Sequence, residues 1–133
     1  MIVVDTSVWI DVINGADTPA AAVCVDLIES GQSVALTGVI VTEILQGFSS
    51  EREAEVVGEK LRAFPLLHMD DTADYELAAR LYRLARAAGI TVRNMADCLI
   101  AAPCVRSGVP ILHSDADFDR LATCTALEIF PVG

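Results

Sequence analysis

The chain has 133 residues, 53% of them hydrophobic, which is the size of one domain with a sizeable core. Nineteen acids against nine bases give a formal charge of −10, and this excludes a protein that grips nucleic acid through an overall basic surface. No run reaches the ~18 uninterrupted apolar residues of a membrane span, and the start Met1-Ile2-Val3-Val4-Asp5 lacks the basic segment of a secretory leader. A cytoplasmic protein without a membrane is expected.

Residues 1–5 are an apolar, β-rich run that ends on Asp5. A helix follows, capped by Thr6 or Ser7, with Val8, Trp9, Val12 and Ile13 as its apolar stripe and Asn14-Gly15 as its stop. The next helix is predicted from Thr18-Pro19 to Ser30-Gly31: Thr18 caps it, Pro19 takes the first turn and Gly31 ends it. Ser33 to Thr37 reads as a short buried strand. Gly38 leads into a helix carrying Val39, Ile40, Glu43, Ile44 and Leu45, stopped by Gly47. Residues 51–63 form a charged amphipathic helix. A long helix spans Thr72 to Ala88, with Leu77, Leu81, Leu84 and Ala88 on its buried side and Arg80, Arg83 and Arg86 off it.

Asn94 to Arg106 is a further helix. Pro103 lies inside it and removes the bond to the Leu99 carbonyl, so a kink is expected there. Val109 to His113 is a strand, Asp115 to about Ala122 a short helix, and Leu127 to Phe130 a last strand. This alternation predicts an α/β fold, a single domain over residues 1–133 with three layers: a small, mainly parallel sheet covered by helices on both faces. Ligands of such sheets bind outside the carboxyl ends of the strands.

The cysteines, Cys24, Cys98, Cys104 and Cys124, form no C-x-x-C pair, and His68 and His113 are not at zinc-ligand spacing to them. They read as small core hydrophobes of a reducing compartment. Most acids, among them Glu51, Glu53, Glu55, Glu59, Asp70, Asp71 and Asp74, lie in polar stretches and read as solvated. Four others interrupt apolar segments. Asp5 and Asp115 each follow a strand, where an acid either caps the next helix or faces a ligand. Glu43 has Val39, Ile40 and Gly47 as helical neighbours and no charge partner among them. Asp97 sits in Met95-Ala96-Asp97-Cys98-Leu99-Ile100, with a surface pair to Arg93 as its ordinary explanation. Four carboxylates gathered at one sheet edge would repel, so a shared divalent cation is the simpler account. Oxygen ligands alone suit magnesium or manganese.

The same residues carry a family resemblance. Val3-Val4-Asp5-Thr6-Ser7-Val8-Trp9-Ile10 resembles the opening strand and D-T-S turn of the PIN-domain nucleases. Val41-Thr42-Glu43-Ile44-Leu45-Gln46-Gly47, the helix around Asn94-Met95-Ala96-Asp97-Cys98-Leu99-Ile100-Ala101-Ala102, and the D-x-D-F element Leu112-His113-Ser114-Asp115-Ala116-Asp117-Phe118 resemble the family's other motifs, in its order. Within that family the sequence resembles the VapC-type toxins of bacterial VapBC toxin–antitoxin pairs.

This resemblance implies a Mg2+- or Mn2+-dependent endoribonuclease that cleaves structured RNA of the tRNA or rRNA class by metal-activated water. Asp5, Glu43, Asp97 and Asp115 match its acidic quartet. Thr6 or Ser7 would support the metal through a hydroxyl, and Asp117 is a possible fifth acid. Arg93 and Asn94 are possible substrate contacts, with Arg80, Arg83 and Arg86 as further phosphate contacts. A homodimer and a small VapB-like antitoxin, through which alone DNA is bound, are the implied partners. His113 departs from the Thr or Ser that many relatives have before the fourth acid; it reads as a partly buried strand-end residue that is able to order the turn. Two other readings stay open: phosphotransfer through an aspartyl nucleophile at Asp5, for which Lys60 is the only lysine, and a non-catalytic acidic module for an Arg-rich partner.

Overall fold

The computed structural model describes residues 1–133. In chain order the elements are β1 (Ile2–Val4), α1 (Thr6–Ile13), α2 (Pro19–Glu29), β2 (Val34–Ala35), α3 (Gly38–Gln46), α4 (Glu51–Leu61), α5 (Asp71–Ala87), α6 (Met95–Ser107), β3 (Ile111–Leu112) and α7 (Ala116–Cys124). The three strands form one parallel sheet in the order β2-β1-β3. Helices cover it, as the α/β/α expectation required.

β1 lies in the centre because Ile2, Val3 and Val4 offer apolar side chains to both faces, the pattern of a parallel strand buried on each side. Its register pairs Val3 with Ala35 on one flank and with Ile111 on the other. The Asp5 N–H donates to the Leu112 carbonyl at 2.9 Å. This bond closes the ladder and sets Asp5 at the carboxyl edge. Since the chain leaves β1 first toward β2 and later returns to pair β3, that edge is where the strand order reverses, the usual place for a ligand site in an open parallel sheet.

Several expected boundaries contract. The strands predicted at Ser33–Thr37 and Val109–His113 are two residues each. The last strand, Leu127–Phe130, shrinks to one parallel bridge between Ile111 and Ile129. A matching bridge from Leu36 to Leu66 on the opposite flank had no sequence signal. α4 ends at Leu61. Pro103 sits buried inside α6 without ending it; the helix stops at Gly108, whose φ of +63° is the left-handed cap that glycine adopts without strain.

The expected apolar stripe of α5 is corrected as well. The buried side is Asp74, Ala78, Leu81 and Ala85, whereas Leu84 and Ala88 are exposed and Leu77 is half-buried. Alanines on that side let α5 lie close against α6, so Leu84 points away from the tight contact. Asp74, read as solvated, is fully buried and holds Arg106 Nε at 2.8 and 2.9 Å, and its Oδ2 also accepts the Asp70 N–H at 2.7 Å. Burial alone would raise the Asp74 carboxyl, but Arg106 and the Asp70 N–H outweigh it and hold the group below its ordinary value.

Candidate metal centre at the carboxyl edge of the sheet

Each expected acid is delivered by a turn that follows from local sequence. Asp5 occupies the N-cap position of α1, yet its side chain makes no capping bond. It is buried, and its Oδ2 accepts the Ser7 hydroxyl at 3.1 Å. Asp5 thus takes the cap position without a side-chain cap bond, and the Ser7 hydroxyl holds its carboxylate instead. The Thr37 hydroxyl caps α3 by accepting the Ile40 N–H at 3.3 Å, which starts that helix at the end of β2 and brings Glu43 to the same edge. Glu43 is half-buried, and a hydroxyl reaches it: Thr6 donates to its Oε1 at 2.7 Å. Adjacent hydroxyls thus serve two different acids.

Asn94 caps α6, its side-chain oxygen accepting the Ala96 N–H at 3.0 Å. The cap places Asp97 in the first turn of α6, buried. Asp115 caps α7 through Oδ1, which accepts the Asp117 N–H at 3.0 Å. Here the cap reading holds, but it uses one oxygen only. His113 is buried and orders this turn, since the Asp115 N–H donates to its Nδ1 at 3.0 Å. With Nδ1 accepting, the ring proton sits on Nε2 and is donated to Asp119 Oδ1 at 3.0 Å. The Ser7 and Ser114 hydroxyls lie 3.0 Å apart and tie the turn after β1 to the turn after β3.

Asp97, Asp115 and Asp117 each bring an oxygen to within 4.8 Å of the others. Asp5 and Glu43 do not join that tight group, but they act on it through charge. The Asp97 carboxyl is pushed up to about 7, first by burial and then by the charges of Asp115, Asp5, Asp117 and Glu43. Asp5 is also raised, chiefly by burial, with the Glu43 charge adding to it. Two raised carboxyls, Asp97 and Asp5, beside further carboxylate and hydroxyl oxygens fit a hard divalent cation.

Other expectations are redistributed. Arg93 forms no pair with Asp97. It lies in the loop before α6, with its Nη2 3.6 Å from Asp117 Oδ1. Arg120, which carried no motif in the sequence, donates to the same oxygen at 2.7 Å. Its position three residues after Asp117 on α7 was the available signal. Arg80, Arg83 and Arg86 lie along α5, where Arg83 lines an apolar groove with Tyr75, Tyr82, Met95 and Leu99, and Arg86 sits 5.7 Å from the centre of the Tyr82 ring. This apolar groove has a volume of about 760 Å3. A cleft of about 660 Å3 opens beside the acids, lined among others by Asp11, His113, Asp115, Asp119 and Phe130.

A PIN-domain family profile matches residues 2–123. Ribonuclease VapC11 of Mycobacterium tuberculosis is 39% identical over 129 residues, covering 96% of each chain. The fold is shared with VapBC2 of Rickettsia felis, solved bound to a DNA fragment from its promoter (TM-score 0.77, 13% identity, 98% of each chain). It is shared too with VapC20 of M. tuberculosis, described as a sarcin-ricin-loop-cleaving toxin (TM-score 0.69, 18% identity, 98% of this chain and 100% of the other).

Proposed function

The chain belongs to the PIN-domain family, among the VapC ribonucleases, and from that premise we propose that it is a Mg2+- or Mn2+-dependent endoribonuclease, the toxin of a toxin–antitoxin pair. The observation that carries the reading is the gathering of Asp97, Asp115 and Asp117 within 4.8 Å, with Asp5 and Glu43 close enough to raise Asp97.

Asp5, Asp97 and Asp115 would hold the cation. When bound, it supplies Lewis-acid stabilisation of the phosphodiester oxygens and lowers the pKa of the attacking water. The chain's own residues do the positioning. Thr6 takes one oxygen of Glu43 and leaves the other to orient water. Ser7 steadies Asp5, and Asn94 fixes the turn that bears Asp97. Residues 1–133 act as one domain in this reading. The substrate is structured RNA of the tRNA or rRNA class, and the name of VapC20 supports the ribosomal alternative. Phosphotransfer at Asp5 is not favoured: Lys60, the only lysine, lies on exposed α4.

The solved VapBC complexes support a small VapB-like antitoxin as partner, with DNA reached through it. A homodimer would use the α5–α6 groove. Tyr75, Tyr82 and Met95 are exposed there. The exposed charges of α5 are also segregated, with Asp71 and Glu76 in its first half and Arg80, Arg83 and Arg86 in its second. Two such helices packed antiparallel about a two-fold axis are self-complementary.

The test is cleavage of a tRNA and rRNA panel by the purified protein with Mg2+, with Mn2+ and with a chelator. Cleavage is expected only with the cation and is expected to vanish in Asp97→Asn and Asp5→Asn. Undiminished cleavage by either variant overturns the assignment.

A further inference from the structure

Asp117 is the one acid of the cluster that the chain's own cations already engage. Arg120 Nη1 stands 2.7 Å and Arg93 Nη2 3.6 Å from its Oδ1. No ion pair involves Asp97 or Asp115. The Asp117 carboxylate lies underneath, 10% exposed, while the side chains of Arg93 and Arg120 are 72% and 49% exposed. Two positive charges on one negative leave this trio with a net charge of +1 at the rim of an acidic centre, in a chain of −10.

Neither arginine is used up. A guanidinium carries five N–H donors in a rigid fork, and each of these meets Asp117 through one terminal nitrogen. The forks approach from different elements, Arg93 from the loop before α6 and Arg120 from α7. They therefore converge on Asp117 from both sequence segments that carry the site, the one leading to Asp97 and the one following Asp115. Of the six other arginines, three are engaged elsewhere: Arg106 with buried Asp74, Arg62 with Glu59 on α4, and Arg86 with the Tyr82 ring.

Resting on the ribonuclease reading above, we propose that Asp117 is not a ligand of the cation but the anchor of a phosphate-binding arginine pair, Arg93 and Arg120, that receives a backbone phosphate of the RNA beside the acidic centre. The carboxylate does two things. It cancels the repulsion that would separate the two guanidinium groups, and it holds their remaining donors exposed beside the acidic centre, where a phosphate can be met by two forks. A polyanion is thereby received by a protein whose overall charge repels it.

The test uses Arg93→Ala, Arg120→Ala and Asp117→Asn in the full chain. It reads kcat and KM for RNA cleavage across a salt series, Mn2+ affinity by electron paramagnetic resonance without RNA, and thermal melting as a control for folding. Each arginine variant is expected to raise KM about tenfold and to lower the salt slope by about 1. Their kcat should stay within a few-fold of wild type, and Mn2+ affinity should be unchanged or tighter, because Asp117 is released beside Asp97 and Asp115. Asp117→Asn should reproduce the KM defect and retain Mn2+ binding. A tenfold loss of Mn2+ affinity in Asp117→Asn with KM unaltered makes Asp117 a cation ligand and overturns the proposal. So does an unaltered KM and salt slope in both arginine variants. A wild-type protein that cleaves no RNA overturns the ribonuclease reading instead. The pair is then tested with inorganic phosphate followed on the arginine Nε–H resonances: shifts in wild type that vanish in Arg120→Ala keep the anion site, and their absence in wild type removes it.

Discussion

The backbone N–H of Asp115 donates to His113 Nδ1 at 3.0 Å, and the opposite nitrogen of the same ring reaches Asp119 at 3.0 Å. The ring is wedged against Phe118 with centroids 5.5 Å apart. His113 thus holds the turn of Asp115 by a bond that requires Nδ1 to carry no proton.

Replacing His113 by Phe keeps the packing volume and removes the acceptor. The Asp115 N–H then loses its partner in a half-buried site, a cost of about 1–3 kcal/mol. Because the ring orients an acid of the proposed centre, Mn2+ affinity is expected to fall about tenfold or more. His113→Asn, whose side-chain oxygen can accept an N–H, should recover part of that loss. Calorimetric Mn2+ affinities equal to wild type in His113→Phe would show that the turn holds without the ring.

The acids at the sheet edge were legible in the sequence because apolar strands and helix stripes make an interrupting carboxylate conspicuous. Asp5 after Ile2-Val3-Val4 and Asp97 among Cys98, Leu99 and Ile100 needed no structure to stand out. The parallel order was legible for the same reason, since strands buried on both faces are continuous apolar runs. Long-range pairing was not. Asp74 stands in a polar stretch, and its partner Arg106 lies 32 residues away. Nor did the sequence betray which side of α5 is buried: Ala78 and Ala85 win over Leu84 because close helix contact selects small residues, and hydrophobicity ranks them lower. Glu43 was expected to lack a charge partner among its helical neighbours; the Thr6 hydroxyl 37 residues earlier was invisible to a reading of those neighbours.

The raised Asp97 gives the protein without metal a specific pH dependence. Its carboxyl ionises near 7 in the fold against an ordinary 3.8, so between those values the folded chain holds a proton that the unfolded chain has released. The stabilisation is complete below about pH 4 and is lost as pH rises toward 7, at about 1.4 kcal/mol per pH unit for this group. Asp5, also raised, acts in the same sense. Melting in chelator is therefore expected to fall from pH 5 to pH 8, and saturating Mn2+ should flatten the curve by taking the proton's place. Asp97→Asn should melt higher than wild type at pH 8 in chelator. A chelator curve that rises over this range contradicts the crowding of charge.

The groove on α5 and α6 yields a test of assembly that is separate from chemistry. If a second copy covers Tyr82, Tyr82→Glu places a carboxylate in the shared face and should give a monomer in sedimentation at micromolar concentration while the circular dichroism spectrum is unchanged. Wild type should sediment as a dimer. A dimer that persists in Tyr82→Glu assigns the groove to another partner.

Asp74 and Arg106 join the first turn of α5 to the last turn of α6, and the pair differs from the site acids in sign. Asp74 is held below its ordinary value, so its contribution is present at neutral pH and is lost only as pH falls into the acid range. The carboxylate is fully buried while Arg106 is partly exposed, which makes the two single variants unequal. Arg106→Ala leaves a buried charge with only the Asp70 N–H for company and should cost about 3–5 kcal/mol. Asp74→Asn keeps the volume and some of the hydrogen bonds and should cost less. Combining Arg106→Met with Asp74→Leu removes both charges together and should be milder than Arg106→Ala alone, because no uncompensated carboxylate remains. Urea unfolding of the four proteins measures this order. If Arg106→Ala is as stable as wild type, the contact is a surface pair and its burial has no energetic consequence.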